Sequence, residues 1–229
     1  MVSEADAFRA SVLATLGELK RARNDNPPRC IQVPLRVGPA LVLRPVNLET
    51  GPATDRDVAL ITAWRNRHRE SFLTWFTATE EGTRRWLHDI GEAGDRILFM
   101  IEADGTAFGH VGVRDFDFLA RTCEIDAVAR GRDDLWPGAM TLAVRGLLTW
   151  LFEQLHCVGA FVRVFADNES ACALYERCGF TVVQTVPIEA VTEGRVVRWV
   201  EQAEPANGRS DRRLAYMAVS APPDVDDRA

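Results

Sequence analysis

The stretch VRVFADNESACALYERCGF, residues 162–180, decides the fold. Its first half is apolar on both faces, which is typical of a central β-strand that is buried on both sides. The second half, which begins near Asn168, has the pattern of a short helix, and Gly179 suits the left-handed residue that ends a helix. We therefore predict a strand, a tight turn and a helix, in that order.

Hydrophobic periodicity around this stretch alternates between helical and extended spacing. The dipeptide Asp104-Gly105 is a strong hairpin signal, and the strands around it predict an antiparallel meander. The predicted elements are strand 40–44, helices 56–69 and 79–90, strands 97–103, 108–118 and 122–129, a long helix that is entered through the loop 130–140, strand 158–166, helix 167–180, and strands 181–192, 195–202 and 212–219. This order predicts an α+β (α/β) fold, with a mixed, mostly antiparallel central sheet flanked by helices.

The N-terminal segment predicts a helix of its own, capped by Ser3 and running to about Arg23. Its apolar residues fall on one narrow face, which must pack on the main domain or on another subunit. We expect a helical extension over residues 1–30, one main domain over residues 31–220 and a disordered tail over residues 221–229. A homodimer is compatible with this arrangement.

The composition argues against several classes of protein. A formal net charge of -6 disfavours a general nucleic-acid binder, because neutralising phosphates needs a basic face. The five cysteines form no Cys-x-x-Cys pair, so we expect free thiols in a reducing compartment and no metal site. The N-terminus lacks a signal-peptide pattern and no uncharged stretch approaches membrane-spanning length, which together predict a cytoplasmic protein without membrane contact.

The deciding stretch resembles the C-terminal signature of the GNAT acetyltransferases. That signature is a strand, an asparagine, a small residue, and a helix that contains Leu-Tyr-Glu before Gly-Phe. The matching positions are Asn168, Ser170, Ala171, Leu174, Tyr175, Glu176, Gly179 and Phe180. The resemblance covers about residues 41–219, and it implies an acyl-CoA-dependent N-acyltransferase with acetyl-CoA as the cosubstrate.

The loop before the long helix offers a place for the pyrophosphate of acyl-CoA. A helix N-terminus presents free backbone N–H groups and the positive end of the helix dipole, and Gly138 would let the backbone approach closely. The residues expected to bind the cosubstrate are Arg130, Gly138, Ala139, Met140 and Thr141 of this loop, Asn168 and Ala171 of the next helix, and the backbone at Ala127 and Ala129, which would polarise the thioester carbonyl. The family pattern for this loop is Arg/Gln-x-x-Gly-x-Gly/Ala. The loop of this chain departs from it, since only Gly138 and Ala139 fill comparable places.

The resemblance implies that Tyr175 protonates the departing CoA thiolate, a role that suits a phenol because it is neutral at pH 7. Without the surrounding motif, a core tyrosine would be the plainer interpretation. Glu124 is the first choice of base, since the family often takes a base or a base-bound water from this strand, and Asp126 lies on the same face. A solvated strand face is the alternative. His110 could serve instead, although a lone strand histidine is more often structural.

Residues 64–69, WRNRHR, form the densest basic run of an acidic chain. On a continuous helix Arg65 and Arg69 would share a face and could clamp a phosphate, although most charge runs are simply solvated faces. The residues expected to bind the acceptor are Arg65, Asn66, Arg69 and Trp75. The segment Trp64-Arg65-Asn66, with a later Thr/Glu and Trp86, also resembles GNAT members that acylate amino sugars on nucleotide carriers, so we expect a small-molecule amine of that kind. A peptide α-amine, or a catalytically silent domain that only binds acyl-CoA, are the alternatives.

Overall fold

The computed structural model describes residues 3–21, 30–33, 40–46, 52–132, 137–202 and 212–222. Their elements are, in chain order, α1 (Glu4–Arg21), β1 (Ile31–Val33), β2 (Leu41–Pro45), α2 (Pro52–Arg67), a 3₁₀ helix (Arg69–Ser71), β3 (Thr74–Trp75), α3 (Glu80–Glu92), β4 (Ile97–Ala103), β5 (Thr106–Asp117), β6 (Thr122–Arg130), α4 (Ala139–Glu153), β7 (Gly159–Phe165), α5 (Glu169–Arg177), β8 (Thr181–Glu193), β9 (Val196–Glu201) and β10 (Arg212–Ser220). The predicted fold class is confirmed. The predicted tail lies outside the described residues from position 223 onward.

Side-chain caps set the starts of three of the helices in the described part of the chain. The hydroxyl of Ser3 accepts a hydrogen bond from the backbone N–H of Asp6 at 3.1 Å, as predicted for α1. Thr79 caps α3 in the same way, and Asn168 caps α5. The predicted helix 56–69 was wrong at both ends, because α2 begins at Pro52 and gives way to the 3₁₀ helix after Arg67. The two- and three-residue strands β3 and β1 are too short to show a periodicity, so the sequence did not predict them.

The described strands form one ten-stranded sheet in the order β1-β2-β4-β5-β6-β7-β10-β8-β9-β3. Every described pair is antiparallel except β6 with β7, and that parallel ladder joins only residues 122–124 to 159–161. Beyond Glu124 the two strands separate, and their diverging ends line a cavity. The opening in the sheet is therefore set by where this one ladder stops.

The strand β6 is distorted at this opening. Its register with β5 shifts between His110 and Gly112, and Ala127 has a left-handed φ of 49°. Such a bulge bends a strand and redirects its backbone groups. Close approach of the neighbouring strand also requires a glycine, because a Cβ on Gly109 would lie 2.5 Å from the carbonyl oxygen of Ala129.

The helix α1 belongs to the main core. Phe8, Val12 and Leu16 are buried in the same apolar cluster as α4 and the central strands. The ammonium of Lys20 also donates to the carbonyl of Ile90 at 2.9 Å and to that of Ala93, at the end of α3. A cation at a helix C-terminus satisfies carbonyls that lack partners within the helix. The sequence left open whether this helix packs on the main domain or on another subunit. The structure shows that α1 packs on the main domain.

A segment that we call the strap, residues 72–78, crosses the opening in the sheet. It follows the 3₁₀ helix at the end of α2, which packs beside β4. Its two residues in β3 pair with β9 near the other edge of the sheet. Asn66 anchors its end, because the amide of this side chain donates to the carbonyl of Ala78 at 3.0 Å and accepts from the N–H of Ala78 at 2.8 Å. The strap thereby forms the roof of the cavity between β6 and β7.

None of the described helices is long and apolar enough to cross a membrane.

Candidate active site

Two cavities meet beside α5. The inner cavity, of about 440 Å³, lies between the strap and the diverging strands β6 and β7. The outer cleft, of about 990 Å³, lies between the first turn of α4 and α5. Both are lined by Ser71, Phe72, Val128, Asn168, Ala171 and Tyr175. A molecule in the outer cleft can therefore reach a second molecule in the inner cavity at this shared wall.

The outer cleft is suited to an anion. It includes the start of α4, where Gly138 adopts a φ of 90° as the residue that precedes the helix. Arg130, Arg145 and Arg177 add positive charge, and none of its described lining residues is acidic. The lining residues that the sequence had nominated for the cosubstrate are Ala129, Arg130, Gly138, Ala139, Met140, Thr141, Asn168 and Ala171, while Ala127 lines the inner cavity instead.

Tyr175 occupies the junction of the two cavities. It is 7% exposed and packs edge-to-face on Phe180, with ring centroids 5.6 Å apart. Burial raises the pKa of its hydroxyl, so that the phenol is neutral at physiological pH and can donate a proton. Asn168 also lines both cavities, but its side-chain oxygen caps α5 by accepting from the N–H of Ala171 at 3.2 Å.

Glu124 is held by two guanidinium groups. Arg163 donates to both of its carboxylate oxygens at 2.9 Å, and Arg114 donates to one of them at 3.1 Å. The residue is 4% exposed. With both oxygens occupied by charged donors, Glu124 is better placed to hold the three strands together than to accept a proton from a substrate.

Asp126 lies two residues further along β6, where the ladder with β7 has ended. Its Oδ2 accepts from Arg96 at 2.8 Å, and its Oδ1 is buried without a hydrogen-bond partner among the described residues. Burial raises the pKa of this carboxyl, which Arg96 and Arg114 only partly offset. Among the described acids of the inner cavity, Asp126 has the carboxylate with more free acceptor capacity.

His110 is 1% exposed and its ring stacks on Trp64, with centroids 6.1 Å apart. The ring nitrogen Nδ1 faces the carbonyl oxygen of Ala127 at 2.5 Å, so Nδ1 carries the proton and donates it. Burial, with smaller contributions from the charges of Arg65 and His68, lowers the pKa of His110 to about 4. A neutral imidazole that fixes the bulge of β6 is the role that this geometry supports best.

The residues expected to bind the acceptor do not all lie together. Arg65 lines the inner cavity, whereas Asn66 holds the strap. The predicted phosphate clamp is wrong: α2 ends at Arg67, and Arg69 is 45% exposed and lies 3.6 Å from Glu70. Trp75 packs on Trp199 behind the cavity.

Three arginines of the inner cavity were missed by the sequence reasoning. They are Arg96, Arg114 and Arg163. A signal for one of them was present, since Arg163 is the only charged residue in the otherwise apolar strand that the sequence predicted at 158–166. A charge in such a strand needs a buried partner, which Glu124 supplies.

The neutral state of His110 predicts an acid-sensitive stability. Because the pKa is lowered on folding, the stabilising contribution is complete above about pH 6.5 and is lost as the pH falls towards about 4. Between pH 7 and pH 4.5 this residue should account for about 2 kcal/mol of the decrease in the free energy of unfolding. Urea unfolding at the two pH values should show that His110→Asn reduces the decrease by that amount, and that the exposed His88→Asn does not. An equal decrease in all three proteins would contradict the assignment.

The architecture resembles that of solved acetyltransferases. RimL, the ribosomal L7/L12 alpha-N-protein acetyltransferase in its apo form, has a TM-score of 0.62 at 14% identity, over 84% of this chain and 95% of that one. The microcin C7 self-immunity acetyltransferase MccE, in complex with acetyl-CoA and AMP, has a TM-score of 0.59 at 16% identity, over 82% and 97%. The spermidine N-acetyltransferase of Vibrio cholerae, in complex with CoA and spermine, has a TM-score of 0.59 at 16% identity, over 79% and 95%. At these identities the likeness concerns the fold.

A comparison with curated proteins gives no significant match. A family model described as the acetyltransferase (GNAT) domain matches residues 42–181, which is more than half of the 229 residues. The matched range begins in β2 and includes both diverging strands, the first turn of α4 and Tyr175. The chain therefore belongs to the GNAT family of acetyltransferases.

Proposed function

We propose that this protein transfers an acetyl group from acetyl-CoA to the primary amine of a small molecule, directly and within a ternary complex. The observation that carries the proposal is the meeting of the two cavities at Tyr175. The outer cleft would hold the donor and the inner cavity the acceptor. Their shared wall is where the amine would approach the acetyl group.

The outer cleft fits acyl-CoA because its described charges are all positive and it includes the N-terminus of α4. Acetyl-CoA supplies an activated thioester. The backbone N–H groups at residues 127–129, which the bulge of β6 redirects, are suited to polarise its carbonyl. Tyr175 would then donate its proton to the thiolate that leaves.

Asp126 is our candidate for the base that takes the proton from the acceptor ammonium, directly or through a water molecule. The sequence pattern favours Glu124, but Glu124 already receives three hydrogen bonds from two arginines. Burial raises the pKa of Asp126, which makes its carboxylate a better proton acceptor than an ordinary aspartate. His110 is a weaker candidate, because a pKa of about 4 makes its imidazole a poor base.

The acceptor that these properties favour is a nucleotide-linked amino sugar. Phe72, Phe76 and Trp86 give the inner cavity aromatic surface on which a base or sugar ring can pack, and its arginines can meet phosphate. The structural likeness to MccE, whose complex contains AMP, supports the same class. The likeness to RimL supports the alternative of a protein N-terminus, but the strap that roofs the cavity favours a small molecule.

The first test is a thermal-shift titration with acetyl-CoA, followed by thiol release in the presence of amines. We expect saturable stabilisation, because a ligand that binds only the native state raises the melting temperature. Release of free CoA with at least one class of amine would establish the enzyme. Stabilisation without thiol release on any amine would support a silent acyl-CoA-binding domain, and no shift at millimolar acetyl-CoA would refute the proposal.

The role of Tyr175 predicts a selective loss of turnover. Tyr175→Phe should lower kcat by about 100-fold, the lower end of the usual contribution of a positioned proton donor, while the Kd for CoA changes little. Tyr216→Phe is the matched control, since Tyr216 is the only other tyrosine of the chain and does not line either cavity among the described residues. Equal kcat values for the Tyr175 variant and the wild type would remove Tyr175 from the mechanism.

The two acids of β6 should respond differently to amidation. Asp126→Asn should lower kcat/KM by about 100-fold or more and abolish the acidic limb of its pH profile, with a small change in stability. Glu124→Gln should instead lower the free energy of unfolding by about 3 kcal/mol, because it removes a buried carboxylate that pairs with the half-buried guanidinium groups of Arg114 and Arg163. Steady-state kinetics and urea unfolding of both variants distinguish these roles. If the Asp126→Asn enzyme retained full activity, Asp126 would not be the base, and Glu124 would become the candidate again.

A further inference from the structure

Among the described residues, one arginine of the inner cavity has no carboxylate partner, whereas the other three do. Arg96 pairs with Asp126, and both Arg114 and Arg163 pair with Glu124. Arg65 forms no ion pair with any described residue, although it lines the same cavity. The described lining thus carries four arginines and two carboxylates, and Arg65 accounts for part of the excess positive charge.

The guanidinium of Arg65 is held rigidly by aromatic rings. Its central carbon lies 3.7 Å from the ring centroid of Phe72 and 4.9 Å from that of Phe76. One terminal nitrogen, Nη2, donates to the carbonyl of Thr74 at 2.5 Å, and the other, Nη1, is buried with no hydrogen-bond partner among the described residues. All three of these contacts come from the strap, so the strap and α2 fix this cation at the cavity wall.

The environment of Arg65 is costly for a positive charge. Burial lowers its pKa to about 10, which still leaves the group protonated at neutral pH. A buried cation normally has an anion or a full set of hydrogen bonds, because transfer out of water is otherwise unfavourable. The aromatic rings offset only part of this cost through cation–π contacts. An anion that enters the cavity would supply the missing charge beside the Arg65 guanidinium.

We propose that Arg65 is the anion-binding residue of the acceptor site, and that the acceptor carries a carboxylate or a phosphate in the same molecule as the amine that is acetylated. This inference rests on the proposed function for the role of the cavity, and it goes further by naming the chemistry that selects the acceptor. Polyamines, which carry only positive charge, are excluded as preferred acceptors. Arg69, the other arginine that the sequence nominated, takes no part.

Anion binding can be measured without turnover. The protein is first saturated with CoA, so that the outer cleft is filled, and is then titrated calorimetrically with uridine monophosphate for the phosphate arm and with hippurate for the carboxylate arm. We expect at least one probe to bind, and its Kd to rise by about 10- to 100-fold in Arg65→Gln, as for loss of a charged hydrogen bond. Arg69→Gln is the matched control and should bind as the wild type does.

A second measurement asks whether the anion selects the substrate. Thiol release is compared for glucosamine 6-phosphate against glucosamine, for phenylalanine against phenylalaninamide, and for spermidine. The wild type should prefer the anionic member of one pair by about 10-fold or more in kcat/KM, and Arg65→Gln should remove that preference. Arg65→Lys should retain part of it, because it keeps the charge but loses the planar group between the rings.

Three outcomes would overturn the proposal: neither probe binds the CoA-saturated wild type, Arg65→Gln binds both probes as tightly as the wild type, or spermidine is the best substrate of the panel. Melting temperatures identify a variant that fails to fold, and Arg65→Lys then provides the comparison. Failure of the acetyltransferase proposal itself would be seen separately, as an absence of stabilisation by acetyl-CoA. The calorimetric arms still report on Arg65 in that case, with CoA omitted.

Discussion

The three-residue parallel ladder between β6 and β7 is the constraint on which the rest of the site depends. Ladder hydrogen bonds satisfy both strands up to Glu124, and beyond that point the facing backbone edges need other partners. The bulge at Ala127, the imidazole of His110 that binds the Ala127 carbonyl, and the cavity between the strands all follow from that termination. An opening in the middle of a ten-stranded sheet is stable here because its two sides are tied together elsewhere.

Two ties hold the opening at a fixed width. At its narrow end, the carboxylate of Glu124 on β6 accepts from Arg114 on β5 and from Arg163 on β7, so one acid joins three strands where the ladder stops. Across its wide end, the strap pairs with β9 while Asn66 secures it to α2. A buried pair of this kind is a poor source of net stability but a strong determinant of geometry. We regard Glu124 as architectural for that reason.

Much of this arrangement could be predicted from the sequence, and the remainder could not for a physical reason. Periodicity and capping residues predicted β4 at its observed bounds, the Ser3 cap of α1 and the turn that leads to Tyr175, because each depends on neighbouring residues. The choice between Glu124 and Asp126 depends instead on arginines that are 30 and 39 residues away along the chain. The two-residue strand β3 could not be predicted from the sequence either, because its pairing with β9 is a tertiary contact.

The excess of positive charge in the inner cavity bears on the chemistry as well as on recognition. An ammonium that enters a desolvated site beside guanidinium groups has a lowered pKa, because both burial and like charge disfavour its protonated form. The neutral amine is the nucleophile, so the same arginines that attract an anionic acceptor would also assist its deprotonation. Arg65 contributes to this effect without being neutralised by a carboxylate of the described chain. In the proposed reaction, one charge imbalance thus serves both selection of the acceptor and activation of its amine.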